Sequence, residues 1–346
     1  MKKTHTAHLS LIIGTLLMLL DQFFWTSHAK HIHISKVNTL MSTLQVQHII
    51  TLLGLDLVII SLGYIYSKRE NSLSEAIKTW LYTIFTGFIA TIICFFLTKE
   101  IDTNAVYSIF LPIIRNVSPV ITGLILSLIC YPFMKKVNYK YLKFILLALL
   151  LIPTLGGTDL LGLNDGYSIP FTFILFYLGV IEASEEKRFS IISLILLCLI
   201  NVLCVTMMPL CSKIVHGDMS TALRFTTSTS FMEVMIACLL VRLLRNIPFF
   251  NNWTSIRYIP LASLVLIGAD RLKTIVSWNE DLVGKSADKL FRQGVVEAVV
   301  IILVVLLVTV LLKQLPQVMK LQHALDEHFR DFELTDQWIQ KEVHFI

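Results

Sequence analysis

The chain alternates long apolar runs with short polar breaks. Runs near 9–25, 46–66, 76–97, 109–133, 141–156, 168–184, 188–210, 228–245, 257–277 and 294–315 approach the length of about 20 mostly apolar residues that a helix needs to cross a bilayer. In lipid, backbone polar groups must be satisfied within their own segment, so the pattern predicts helices and not open strands. The run at 141–156 is the shortest, and its boundary with 157–167 is open. No internal repeat and no linker rich in Pro, Gly or Ser divides the chain. The expected organisation is one transmembrane bundle over 1–315 and a cytoplasmic tail over 316–346. In the tail, Leu321, Leu325, Phe329, Phe332, Leu334 and Trp338 recur among charges. That spacing suits an amphipathic helix on the inner leaflet, or simply a soluble tail helix.

Composition narrows the class further. Of 346 residues, 55% are hydrophobic and 15% charged, and the mean hydropathy is +0.73. Soluble domains hold about 45–50% apolar and about 25% charged residues. An ordinary soluble enzyme, a disordered chain, collagen and a disulfide scaffold are all excluded. The expected fold class is all-α: a polytopic membrane helix bundle of ten spans.

The net charge of +5 comes from scattered Lys and Arg, with no nucleic-acid patch, so nucleic acid is not an expected partner. In a membrane protein such an excess reports orientation. With the N-terminus in the cytoplasm, inner loops hold Lys68, Arg69, Lys135, Lys136, Lys140, Lys143, Lys187, Arg188, Arg242, Arg245 and Arg257. Outer loops hold fewer, and 157–167 holds none. Ten spans with both termini cytoplasmic satisfy the rule, which implies a multi-pass plasma-membrane protein. Lys2 and Lys3 before the first run, with Ser27-His28-Ala29 after it, resemble a signal peptide. The run through Asp21-Gln22-Phe23-Phe24-Trp25 is too long and too aromatic for one.

Candidate chemistry lies in the ionisable residues of the spans, which are costly in lipid and mark function by default. They are Asp21, Asp56, Arg115, Glu233, Asp270, Arg271 and Glu297. The topology puts all but Asp56 toward the outer half, near His28, His31, His33 and His48. One outward-facing polar cavity is the functional expectation. The bland alternative is pairing, or snorkelling from span ends. Asp56 has no charge within ten residues on either side, which leaves a buried partner or a functional role. His31-x-His33 lacks a matched third ligand, so no metal site is expected. Gly123, Gly156-Gly157 and Gly166 read as close packing or turns. Cys94, Cys130, Cys198, Cys204, Cys211 and Cys238 form no C-x-x-C pair and read as packing thiols. There is no phosphate loop, no G-x-S-x-G and no H-E-x-x-H.

Four stretches carry a resemblance. They are Leu57-Val58-Ile59-Ile60-Ser61-Leu62-Gly63-Tyr64; Gly166-Tyr167-Ser168 with Phe173-Ile174-Leu175-Phe176-Tyr177-Leu178-Gly179; Thr227-Ser228-Thr229 with the span to Arg242-Leu243-Leu244; and Leu264-Val265-Leu266-Ile267-Gly268-Ala269-Asp270 with Trp278. In this order they resemble acyltransferase family 3, the polytopic membrane O-acyltransferases that modify sugars of surface polysaccharides. The family's first helix carries an Arg and, further along, a His, where this chain has Leu11 and Asp21-Gln22. The His of its Tyr-Leu-Ile-His segment falls on Gly268.

The resemblance implies acyl transfer to a sugar hydroxyl, with an acyl-CoA-type donor as co-substrate and no bound cofactor. Membrane lipid and lipid-linked or surface polysaccharide are the implied partners. Such transfer needs a base for the hydroxyl proton and donors facing the oxyanion. Asp21 and His48 are the catalytic candidates. Gln22, Asp56, Arg115, Tyr167, Glu233, Asp270 and Arg271 are the substrate-binding candidates. Two alternatives stay open. One is a member that has lost its chemistry and binds or scaffolds in polysaccharide assembly. The other is a transporter using Asp56 and Glu233 for protons or cations.

Overall fold

A computed structural model describes residues 7–28, 39–69, 72–99, 118–156, 168–185, 190–214, 229–245, 247, 254–267 and 287–314, with isolated residues between 320 and 327. These residues form ten α-helices and no strand. The helices are α1 (His8–His28), α2 (Thr39–Tyr66), α3 (Ser72–Thr98), α4 (Pro119–Met134), α5 (Tyr139–Gly156), α6 (Ile169–Ser184), α7 (Ile191–Ile214), α8 (Phe231–Leu244), α9 (Tyr258–Ile267) and α10 (Ala287–Gln314). A short 3-10 turn, Thr254–Arg257, leads into α9. Each apolar run read from the sequence overlaps one of these helices, with 109–117 of the fourth run and 268–277 of the ninth outside the described residues. The ends differ: α2 and α10 start earlier than their runs, and α4 starts later, at Pro119. The tail helix expected over 316–346 lies almost wholly outside the described residues.

Local chemistry sets several ends. Ser118 and Ser168 stand in extended backbone just before α4 and α6, each followed by a proline in the first turn. Proline is pre-set for that position because the first N–H groups of a helix have no partner within it. The Ser168 hydroxyl accepts from the Phe171 amide at 3.2 Å. At α8 the cap comes from another helix: Thr154 of α5 accepts from the Phe231 amide at 2.7 Å. Serine and threonine inside helices bond back to their own backbone, as Thr15 does to Leu11 and Ser127 to Gly123.

The central helix is α2, packed by α1, α6 and α8. Around this group, α4 joins α6 to α3, and α9 joins α3 to α1 and α10. Contacts between α2 and α6 pass through glycine. A Cβ on Gly63 would lie 2.1 Å from the Phe176 carbonyl oxygen, and one on Gly179 would lie 2.1 Å from that of Ile60. The α1–α2 contact is similarly tight at Gly54, beside the Met18 amide. Bare backbones meet here because any side chain would hold them apart. Gly123 meets the Thr172 side chain at 2.8 Å, so its reading as close packing holds.

Beside the apolar core, several polar side chains are buried and many large apolar ones are exposed. Asp56, Ser61, Ser127, Asn201 and Glu233 are buried, whereas Phe88 and Phe96 on α3, Phe144 on α5, Ile192 on α7 and Leu303 on α10 are exposed. Only α3 is long and apolar enough, among the described residues, to cross a membrane. Just 22% of its most apolar stretch is buried. Shorter apolar stretches lie on α1, α2, α4, α6, α7, α9 and α10.

Candidate functional site

Three polar regions lie along the bundle. The first gathers where α2, α4, α6 and α8 end and α3, α5, α7 and α9 begin. We call this the basic end, because Lys68, Arg69, Lys143, Arg242, Arg245 and Arg257 stand there. Glu75, in the first turn of α3, receives Arg257 Nη1 at 2.6 Å and Arg69 Nη1 at 3.0 Å, with Lys78 Nζ at 3.7 Å. Arg257 also donates to the Tyr258 hydroxyl at 2.9 Å and lies over the Tyr66 and Tyr258 rings. Across the same end, Arg242 donates to both carboxylate oxygens of Glu182 and reaches Glu185 at 3.3 Å. Arg245 donates to the Glu182 carbonyl at 2.9 Å, and Lys143 donates to Glu185 at 2.9 and 3.0 Å.

Sequence reasoning used these cations only for orientation and passed over their acids. Glu75 follows Ser72 at the spacing of a helix start, Ser-x-x-Glu, which was a usable signal. Glu182 and Arg242 also lie inside their apolar runs, at 168–184 and 228–245, and belonged with the intramembrane charges.

The second region lies toward the opposite end, between α1 and α2. Asp21 is buried, and its Oδ1 accepts from the Thr51 hydroxyl at 2.9 Å. Gln22, beside it on α1, is half-buried. His48 is one turn before Thr51 on α2. Its side chain lies outside the described residues. Leu11, where the resembled family carries an Arg, is 0% exposed and part of the main apolar core.

The third region is the bundle interior, where α2, α7 and α8 meet. Asn201 Nδ2 donates to Glu233 Oε1 at 2.6 Å. Glu233 is the charged neighbour of Asp56. Both acids are 0% exposed. Two substrate-binding candidates from separate runs are therefore close enough to act on each other electrostatically, and Asn201 is bonded to the second. No sequence signal singled out Asn201, because an Asn in an apolar run carries no charge to betray it.

Arg115, Tyr167, Asp270 and Arg271 lie outside the described residues, as do His31, His33 and Gly268. Glu297 lines an apolar cavity of about 460 Å³ between α3, α9 and α10, with Tyr82, Thr86, Val300 and Val304. Among the described residues no cluster of His, Cys, Asp and Glu has the make-up of a metal site.

No protein-family model matches the chain, and neither a curated protein nor a solved structure does.

Proposed function

We propose that the chain is a multi-pass plasma-membrane protein that transfers an acyl group to a sugar hydroxyl of lipid-linked or surface polysaccharide. Membrane residence is supported by the arrangement of the bundle, with aromatic and aliphatic side chains outside and carboxylates inside. Water would penalise that outer surface, whereas hydrocarbon does not. The ten helices among the described residues, in sequence order, and the basic end that they share support ten spans with cytoplasmic termini.

The observation that carries the acyl-transfer reading is the Asp21–Thr51 pair, with His48 one turn along α2. In this reading Asp21 or His48 accepts the hydroxyl proton as the sugar oxygen attacks the carbonyl carbon of an acyl-CoA-type thioester. The C–S bond then breaks, and the thiolate leaves and takes up a proton. Gln22 donates to the oxyanion formed in between. Two stretches of the resemblance to acyltransferase family 3 also interlock, through Gly63 and Gly179.

One observation favours a second reading. Leu11 is sealed in apolar core, so that helix face offers no cation where the family carries one. A member that binds polysaccharide without acylating it satisfies the same geometry. The test is proton NMR of surface polysaccharide from wild-type cells, a deletion strain, and strains complemented with wild type or Asp21→Asn. Acyl groups that vanish on deletion and return with wild type but not with Asp21→Asn support the enzyme. Unchanged acyl content after deletion overturns it in favour of binding.

A further inference from the structure

The interior acids are not used by the proposed chemistry, and their surroundings are unusual. Asp56 is fully buried, and neither Oδ1 nor Oδ2 has a hydrogen-bond partner among the described residues. The same holds for Glu233 Oε2 and Asn201 Oδ1. Ser230 Oγ, one turn from Glu233 toward the opposite end, is also without a partner.

Helical rise places the three side chains at one depth. Asp56 is ten residues before Tyr66, Asn201 is ten residues after Ile191, and Glu233 is eleven residues before Leu244. Each is therefore about 15 Å from the basic end, at 1.5 Å per residue. That is the midplane of a hydrocarbon core about 30 Å thick.

Two carboxylates in such a place need opposite charge or neutralisation. The nearest titratable groups do not supply a cation. Cys198 of α7 neighbours Glu233, and Cys238 of α8 neighbours Asp56. Glu182, Arg242 and Lys143 also act electrostatically on Cys238. Arg242 and Lys143 are already engaged by Glu182 and Glu185. The hydrogen-bond inventory leans the same way: four buried oxygen acceptors are without a partner, and the Ser230 hydroxyl is the one unpartnered side-chain group beside them, among the described residues, that can donate. A proton on each carboxyl group corrects both faults. It removes the charges, and it turns two acceptors into donors that can serve the other two.

We infer that Asp56 and Glu233, with Asn201, form a proton-binding site at the midplane of the bundle, distinct from the Asp21–Thr51 region and independent of acyl transfer.

The test is infrared difference spectroscopy of the purified full-length protein in lipid nanodiscs at neutral pH. Asp56→Asn and Glu233→Gln keep the shape of each side chain and remove its proton-binding group. The wild type should show the C=O stretch of protonated carboxyl groups. Asp56→Asn should remove part of that band, Glu233→Gln a second part, and the double variant both. Asp21→Asn, away from the site, should leave these components in place. A folded wild type without the band, or a band unchanged in the double variant, overturns the inference. A band that falls when Na⁺ replaces choline at constant pH also overturns it, because the site would then be one for an alkali-metal ion. All of these outcomes are independent of acylation, so failure of the acyl-transfer reading leaves the test intact.

Discussion

Substituting alanine for glycine at the α2–α6 crossing sets two known effects against each other. In the middle of a helix, Gly→Ala is ordinarily stabilising by about 1 kcal/mol. At Gly63 the added Cβ would stand 2.1 Å from the Phe176 carbonyl oxygen. An ordinary carbon–oxygen contact is about 3.3 Å or more, so the helices must part by about 1.2 Å. A gap of that order forfeits about half of the dispersion between facing side chains, and forced separation of a packed core costs about 3 kcal/mol. The net expectation for Gly63→Ala is a loss of about 2 kcal/mol. Gly179→Ala faces the same 2.1 Å conflict, with Ile60, and should cost the same. The double variant is the sharper case. One separation relieves both conflicts while helix propensity gains twice, so its loss should be only about 1 kcal/mol, less than either single variant. Thermal melting in detergent, followed through the intrinsic fluorescence of the five tryptophans, reads these differences. A Gly63→Ala protein as stable as wild type would refute the close approach of the two backbones. A double variant that loses the sum of the two singles would refute the shared separation.

Other expectations follow from the polar regions. Glu182→Gln removes the carboxylate that takes two hydrogen bonds from Arg242 and leaves the guanidinium only the longer contact with Glu185, in a largely buried place, so it should destabilise the bundle by about 3 kcal/mol in the same melting assay. Lys143→Ala removes a pair that is partly open to solvent and should cost less than about 1 kcal/mol. A lone Cys238, with the other five cysteines replaced, should stay unlabelled by a water-soluble maleimide until the protein is unfolded, because its thiol is buried. Val137→Cys, at the exposed basic end, should label in opened vesicles and stay silent in intact cells if that end is cytoplasmic.

The pattern of apolar runs determined the order and approximate bounds of the ten helices among the described residues. A run that long and that apolar has one way to satisfy its backbone, and that constraint is local. The excess of Lys and Arg in alternate loops was equally local, and it marked the end at which those residues gather. Charge within a run also announced Asp21, Asp56 and Glu233 as residues out of place.

What each of them meets was decided only by tertiary structure. The hydroxyl facing Asp21 comes from Thr51, thirty residues away, and the amide facing Glu233 comes from Asn201, thirty-two residues away. Uncharged Thr and Asn look like ordinary span residues until the helices are placed side by side. The same limit explains Gly63 and Gly179. A glycine in an apolar run is uninformative alone, and becomes the closest point of two helices only when another backbone lies against it. Glu75 and Glu182 each carried a local signal, a helix-start spacing and a charge inside an apolar run, but nothing local named their partners. Their importance lies in Arg257 and Arg242, brought from far along the chain by the packing of α9 and α8. Helix formation depends on neighbours a turn away, whereas these contacts depend on rotation and depth between helices, which an apolar pattern does not encode.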